Sequence, residues 1–309
     1  MVSAYESAAL LPTGPGVYRF RDGRGRVLYV GRAANLRTRV RSYWRDVRDR
    51  PHLTRMVAQV DRVEAVRCRS RHEAAWLERN VLEHRMPPWN RTPGGQEVPV
   101  WLRMTAIDVD VVHERRSGDP HYGPYLGGAQ VRQAAAGLRR IYPLRYATER
   151  LTPAERELAR VRGIAVEHRE VLADQVRAVL ERDADAVATI CAALVDRRDQ
   201  ATARLAYEQA AAIQSEIEAL AWISQAQQVT GDEADLDAYG WHDGVLVRFE
   251  LRAGRVRDWR IRSCTAQAAR RHLAGTPAHW REFADKNAEL AAELARSWKG
   301  LATWKGLAT

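Results

Sequence analysis

Gly16-Val17-Tyr18-Arg19-Phe20-Arg21-Asp22-Gly23-Arg24-Gly25-Arg26-Val27-Leu28-Tyr29-Val30-Gly31 is the stretch whose reading decides the fold. Val17 to Arg21 and Arg26 to Val30 alternate as strands do, and Asp22-Gly23-Arg24-Gly25 between them carries the residues that a tight hairpin demands. With Gly23 and Arg24 as the two loop residues, a type II′ turn suits the leading glycine, and Tyr18 is expected to face Tyr29. Directly opposed side chains lie about 5 Å apart at Cβ. The two phenols are therefore expected side by side, with Phe20 and Val27 continuing their face.

Outward from this hairpin, residues 10–98 read as hairpin, helix, helix, strand, helix and loop. Leu36, Val40, Tyr43 and Trp44 recur at helical spacing after a cap at Asn35, and Leu53, Met56, Val57 and Val60 repeat the pattern. Val63 to Cys68 is expected as a third strand, which makes an α+β unit, a small antiparallel sheet flanked by helices. Met86-Pro87-Pro88-Trp89-Asn90 stops the last helix and Pro93-Gly94-Gly95 extends the break.

Three further segments are expected. Residues 99–150 carry strands at 98–104 and 107–112, then His121-Tyr-Gly-Pro-Tyr-Leu-Gly-Gly128 as a loop entering a helix that ends near Tyr142. Residues 151–230 are alanine-rich and helical, and Tyr207, Ala210, Ala211, Ile213, Ile217 and Leu220 share a stripe that reads as one arm of a helical hairpin. Residues 231–309 hold a β-hairpin closed around Arg252-Ala253-Gly254, then helix, then a duplicated Trp-Lys-Gly-Leu-Ala-Thr starting at Trp298 and Trp304.

The chain has 309 residues, with 49 Lys and Arg against 39 Asp and Glu, a net charge of +10 and a pI near 9.9. That balance favours a polyanion, nucleic acid foremost. Arginines crowd residues 19–50. Cys68, Cys191 and Cys264 are too widely spaced for a disulfide framework or a CxxC metal site. No apolar run approaches the roughly 20 residues of a membrane helix. A cytoplasmic, nucleoid-associated protein without membrane contact is expected.

Among the carboxylates of residues 71–86, Glu73 closes a capping box with Ser70. Glu78 falls inside the apolar arc of Ala74, Ala75, Leu77, Val81 and Leu82, with Glu83 nearly opposite. An inward carboxylate needs a cation, either an arginine or a metal ion. Arg39 and Tyr43, four residues apart, stack on one helix face and can reach one phosphate.

Gly16-Val17-Tyr18 with Tyr29-Val30-Gly31, followed by Arg32-Ala-Ala-Asn-Leu-Arg-Thr-Arg39 and Ser42-Tyr43, resembles the GIY-YIG nuclease domain at the N-terminus of the excision-repair endonuclease family UvrC. The resemblance implies a phosphodiester hydrolase with Tyr18, Tyr29, Arg39, Tyr43, Glu78 and Asn90 in its active site. It places Mg²⁺ or Mn²⁺ on Glu78, makes Tyr29 the general base or water-orienting group, and has Tyr18 orient the phosphate or polarise Tyr29. Arg32, Arg37 and Arg41 are the expected DNA-binding side chains, although position 32 is lysine in many relatives. Tyr122-Gly-Pro-Tyr125 with Tyr142-Pro-Leu-Arg145 also resembles UvrC. The 207–220 stripe is similar to the UVR motif that docks on UvrB, with Tyr207, Ile213 and Ile217 as partner-binding residues and UvrA acting upstream.

Two departures from the family shape the expected activity. No cysteine cluster follows Arg145, so no iron-sulfur cluster is expected. The length leaves no room for the RNase H-type nuclease or helix-hairpin-helix modules of full-length UvrC. A single incision on the 3′ side of damage in double-stranded DNA, as in short UvrC homologues, is therefore expected. The alternatives are a GIY-YIG nuclease acting on branched or foreign DNA, and a non-catalytic adaptor binding UvrB and DNA.

Overall fold

The computed structural model describes residues 4–45, 51–91, 98–231 and 234–298. The chain divides into two units, Met1–Gln96 with Ala226–Thr309, and Glu97–Gln225. Four consecutive segments were expected; instead the C-terminal strands and helices join the N-terminal domain, and the middle two segments share one core.

The first unit opens with α1 (Ala4–Leu10), β1 (Gly16–Arg21), β2 (Val27–Ala33), α2 (Leu36–Arg45), α3 (Pro51–Val57), β3 (Arg62–Arg67) and α4 (Arg71–His84). Its three strands form an antiparallel sheet in the order β2-β1-β3. The hairpin forms where expected but in a different register: Phe20 pairs with Tyr29 and Tyr18 with Gly31.

Two local features move that register by one residue each. The Asp22 N–H donates to Arg26 O (3.0 Å) and the Gly25 N–H to Asp22 O (2.9 Å), closing a three-residue loop with Gly25 at φ +77°. The Asp22 carboxylate accepts the N–H groups of Arg24 (3.0 Å) and Arg26 (2.8 Å), which a two-residue turn would not allow. A β-bulge between Phe20 and Arg21 adds the second step. An even shift leaves Tyr18, Phe20 and Tyr29 on one face.

The new pairing explains the two glycines of the motif. A Cβ at Gly31 would lie 2.5 Å from the Tyr18 hydroxyl, and one at Gly16 would lie 2.3 Å from Val66 O. Asn35 caps α2 through its side-chain oxygen, which accepts the Thr38 N–H at 3.0 Å. Ser70 caps α4, its hydroxyl accepting the Glu73 N–H at 3.0 Å. The buried Glu73 carboxylate accepts from the N–H groups of Arg69 (2.7 Å) and Gln228 (2.9 Å). It is therefore a structural anchor, as its capping position implied.

The second unit contains β4 (Pro99–Met104), β5 (Val109–Val112), β6 (His121–Leu126), α5 (Gly128–Ile141), α6 (Pro153–Val161), α7 (Arg169–Leu180), α8 (Ala184–Ala203) and α9 (Tyr207–Ile223). The Tyr-Gly-Pro-Tyr run, expected as a loop, is strand β6 paired with β4. Pairing satisfies its backbone and buries Tyr125 in the core shared with α5 and α7–α9.

The chain then returns to the first unit with β7 (Leu236–His242), β8 (Val245–Arg252), β9 (Arg255–Ser263), α10 (Ala266–Ala274) and α11 (Ala278–Ala295). In place of one hairpin there are three antiparallel strands, because Asp243-Gly244 makes a second tight turn beside Ala253-Gly254. All four residues have positive φ, as type I′ turns require. Helix α11 lies so close to β7 that a Cβ at Gly240 would meet Ala284 O at 2.0 Å. Asn287 on α11 accepts the Arg67 N–H of β3 at 2.7 Å. Pro93-Gly94-Gly95 and the duplicated tail beyond Trp298 lie outside the described residues. Among the described residues no helix is long and apolar enough to cross a membrane.

Candidate active site

Three phenols meet on the inner face of the β1–β2 hairpin. Tyr18 is completely buried, and its hydroxyl hydrogen-bonds that of Tyr43 at 2.8 Å. The Tyr29 ring lies 6.2 Å from Tyr18 and 6.0 Å from Tyr43. Strand alternation brings Tyr18 and Tyr29 to this face, and the buried α2 stripe of Leu36, Val40 and Tyr43 delivers the third ring.

Burial, followed by the neighbouring phenols, pushes the Tyr18 pKa well above the ordinary phenol value. Burial also raises Tyr29, with Tyr43 and then the Glu78 carboxylate adding to the effect. Both groups are protonated at neutral pH, so each carries a hydroxyl proton that it can donate. Of the two roles expected for Tyr29, this chemistry favours orienting a water molecule over removing its proton.

Arg39 stands on the rim of this cluster, its guanidinium 5.2 Å from the centre of the Tyr43 ring. Burial opposes its charge, but Tyr18, Tyr43 and Tyr29 outweigh that and raise its pKa. Arg37 and Arg41 project from the opposite flank of α2. Arg37 Nε donates to Leu11 O at 2.6 Å, and Arg41 Nη2 donates to the Tyr5 hydroxyl at 3.3 Å. Those contacts hold α1 against α2, so the three expected DNA-binding arginines do not form one group.

Glu78 is not inside the core. Its apolar neighbours on α4 are buried as the arc implied, yet its side chain is 22% exposed and reaches the end of β2. There Oε1 accepts the Arg32 N–H at 3.0 Å and Oε2 lies 3.3 Å from Arg32 Nε. Among the described residues no cluster of three or more His, Cys, Asp or Glu side chains is placed to hold a metal ion. A single partly open carboxylate nevertheless fits Mg²⁺, which keeps several waters and takes its remaining ligands from substrate phosphate.

Asn90 sits beside the cluster with its amide turned to the backbone. Its Oδ1 accepts the Val30 N–H at 3.0 Å and its Nδ2 donates to Val30 O at 2.8 Å. The Trp89 N–H donates to Leu28 O at 3.1 Å, so the Pro-Pro-Trp-Asn loop continues the sheet along the free edge of β2. Asn90 thereby positions the strand that carries Tyr29.

Away from this centre, Ile213 is buried and Ile217 packs partly buried beside Leu194 and Leu220 in the second unit. The expected docking stripe is thus mostly a core stripe, and of its large side chains Tyr207, 64% exposed, remains on the surface. The reason is amphipathic packing: an apolar face on α9 is covered by α8 and α5 of its own unit.

Sequence reasoning missed the support behind β1. Arg19 is buried with Nε 2.5 Å from Glu64, Nη1 2.7 Å from Asp258 and Nη2 2.5 Å from Trp259 O. Its guanidinium also lies 3.9 Å from the centre of the Trp259 ring. An arginine between Tyr18 and Phe20 was the available signal, but its partners lie as far as 240 positions away.

Residues 14–91 match the family model described as the UvrC-like GIY-YIG domain. The chain is 29% identical over 278 residues to the UvrABC system protein C of Chlorobium chlorochromatii, covering 81% of this chain and 44% of that protein. It is 32% identical over 285 residues to the protein of the same name from Sphingopyxis alaskensis, covering 86% and 43%. The chain spans less than half the length of these curated relatives. The GIY-YIG N-terminal endonuclease domain of UvrC from Thermotoga maritima, solved bound to its catalytic divalent cation magnesium, is 30% identical over 28% of this chain and 93% of that one, with a TM-score of 0.26.

Proposed function

Because residues 14–91 match the UvrC-like GIY-YIG domain model, we propose that the chain is a metal-dependent DNA endonuclease that makes one incision, 3′ to a lesion, in nucleotide excision repair. The observation that carries this reading is the convergence of Tyr18, Tyr29, Tyr43 and Arg39 beside the partly open carboxylate of Glu78.

Arg39 binds a non-bridging phosphate oxygen and offsets the charge that grows on it in the transition state. Protonated Tyr29 orients the attacking water, while Tyr18 and Tyr43 hold each other and the Arg39 face in place. Glu78, whose carboxylate now faces Arg32, would be the protein ligand for Mg²⁺ or Mn²⁺. When bound, the divalent ion supplies Lewis-acid stabilisation and lowers the pKa of a coordinated water. Asn90 keeps the Tyr29 strand from shifting.

The similarity to UvrABC system C proteins over more than four-fifths of the chain supports DNA as substrate and UvrB, after UvrA, as the component that presents it. For docking, Tyr207 and the still more exposed Leu205 at the α8–α9 turn are the candidates.

The test is incision of a single-lesion duplex with and without UvrA and UvrB, comparing wild type with Glu78→Gln. One 3′ nick that depends on UvrB is expected. The variant should lose roughly 10³-fold in rate while still binding DNA, because several kcal/mol of Lewis-acid stabilisation is lost. Full activity of Glu78→Gln, or of wild type in excess EDTA, rejects the site. Equal nicking of undamaged branched DNA without UvrB moves the activity outside repair.

A further inference from the structure

Residues 255–281 hold seven arginines and one acidic residue, Asp258. Asp258 is already engaged, accepting from buried Arg19 at 2.7 Å. Arg255 and Arg257 lie 3.1 and 3.9 Å from Glu83 on α4, and Arg281 Nε donates to Thr276 O at 3.3 Å. Four arginines remain, Arg260 and Arg262 on β9 and Arg270 and Arg271 on α10, all exposed.

Among the described residues Arg260 is ion-paired only with Asp258, at 3.9 Å. Among the described residues Arg262, Arg270 and Arg271 enter no ion pair. Arg262 Nη2 lies 2.9 Å from His272 Nε2, which draws the end of β9 toward the last turn of α10. A basic residue in a last turn is favourable by roughly 0.3–1 kcal/mol, which accounts for Arg271 alone. The strand arginines have no such benefit, and like charges within a Debye length of about 8 Å repel.

The placement is directional. Arg255 and Arg257 dock the start of β9 against α4, the helix of Glu78. From Arg257 to Arg262 the strand extends about 17 Å. Arg260 and Arg262 share one face of it, and α10 continues the positive surface.

We propose that Arg260, Arg262, Arg270 and Arg271 form a second phosphate-binding surface, which grips the DNA duplex by its backbone outside the nuclease site. The surface reads no bases, since it offers cations in a row and no groove-entering element. The choice of DNA over another polyanion rests on the nuclease reading above.

The test is binding of a labelled undamaged 30-base-pair duplex by the full chain across a salt series, in the Glu78→Gln background so that cutting is silent. Neutralising all four residues to Gln should reduce the slope of log affinity against log salt by about 4, at roughly 0.9 per phosphate contact. Arg260→Gln with Arg262→Gln, and Arg270→Gln with Arg271→Gln, should each reduce it by about 2; these milder variants carry the test if the fourfold variant loses its fold. An unchanged slope in all three overturns the proposal, as does a loss confined to complexes with a protein partner. Failure of the wild-type chain to nick, with the patch-dependent slope intact, removes the nuclease reading and leaves the binding surface standing.

Discussion

In the β1–β2 hairpin, side chains with polar ends lie in apolar packing and keep their hydroxyls together: Tyr18 is fully buried yet bonded to Tyr43, and Tyr29 is held beside both. In the α8–α9 hairpin the arrangement is the ordinary one, with Ile213 and Leu220 inside and Tyr207 outside. The first pattern costs desolvation that a folding domain avoids unless the polar ends are used; the second lowers the free energy of folding by itself. A function is therefore assigned with more security to misplaced polarity than to a well-placed apolar stripe.

The largest effect that sharpens this contrast is expected from Ile213→Asp. An unpaired carboxylate in the core of the second unit should destabilise it by about 4 kcal/mol or more, whereas Tyr207→Asp should stay within about 0.5 kcal/mol. Denaturant melts of the two variants measure this. Equal, small effects would mean that the α9 stripe is free after all.

A smaller effect is expected behind β1. Glu64 is buried against Arg19, Arg21 and Arg62 at 2.5, 2.7 and 3.4 Å. Burial alone would raise its pKa, but these arginines prevail and hold it below the usual carboxylate value. A depressed folded-state pKa gives stability that is fully present above the unfolded value of about 4.3 and is lost as pH falls through the folded value. Glu64→Gln should cost about 3 kcal/mol at pH 7. The gap to wild type should narrow on titration below about pH 4, as followed by thermal melts. A gap that is constant with pH would show that Glu64 contributes through packing.

The smallest effect is expected at Asn90. Removing its two hydrogen bonds to Val30 in Asn90→Ala should cost about 1–2 kcal/mol, and a slight displacement of Tyr29 should slow nicking by about tenfold. Single-turnover assays at saturating DNA, paired with a melt, separate the two. Loss of nicking without any loss of stability would mean that Asn90 acts on the substrate directly.

Much of the first domain was legible because its signals are local. Turn glycines, strand alternation, the Ser70 and Asn35 caps and the Pro87-Pro88 stop each act within a few residues. The hairpin register was not legible, since the Asp22 carboxylate and the bulge decided it, and neither is visible in alternation. Arg37 and Arg41 looked equivalent to Arg39 by charge, but α1 occupies them.

By itself, the sequence determined which residues carry the GIY-YIG motif, where helices begin and stop, and that the chain carries excess positive charge, because these follow from residue chemistry and short-range periodicity. Only the tertiary structure decided that Glu78 sits at an open rim, that Asn90 faces backbone, that the α9 stripe is core, and that the C-terminal sheet supports β1 through Arg19. Each of those depends on which distant segment supplies the partner atom, a choice made by burial and pairing across the whole unit and by no interval along the chain.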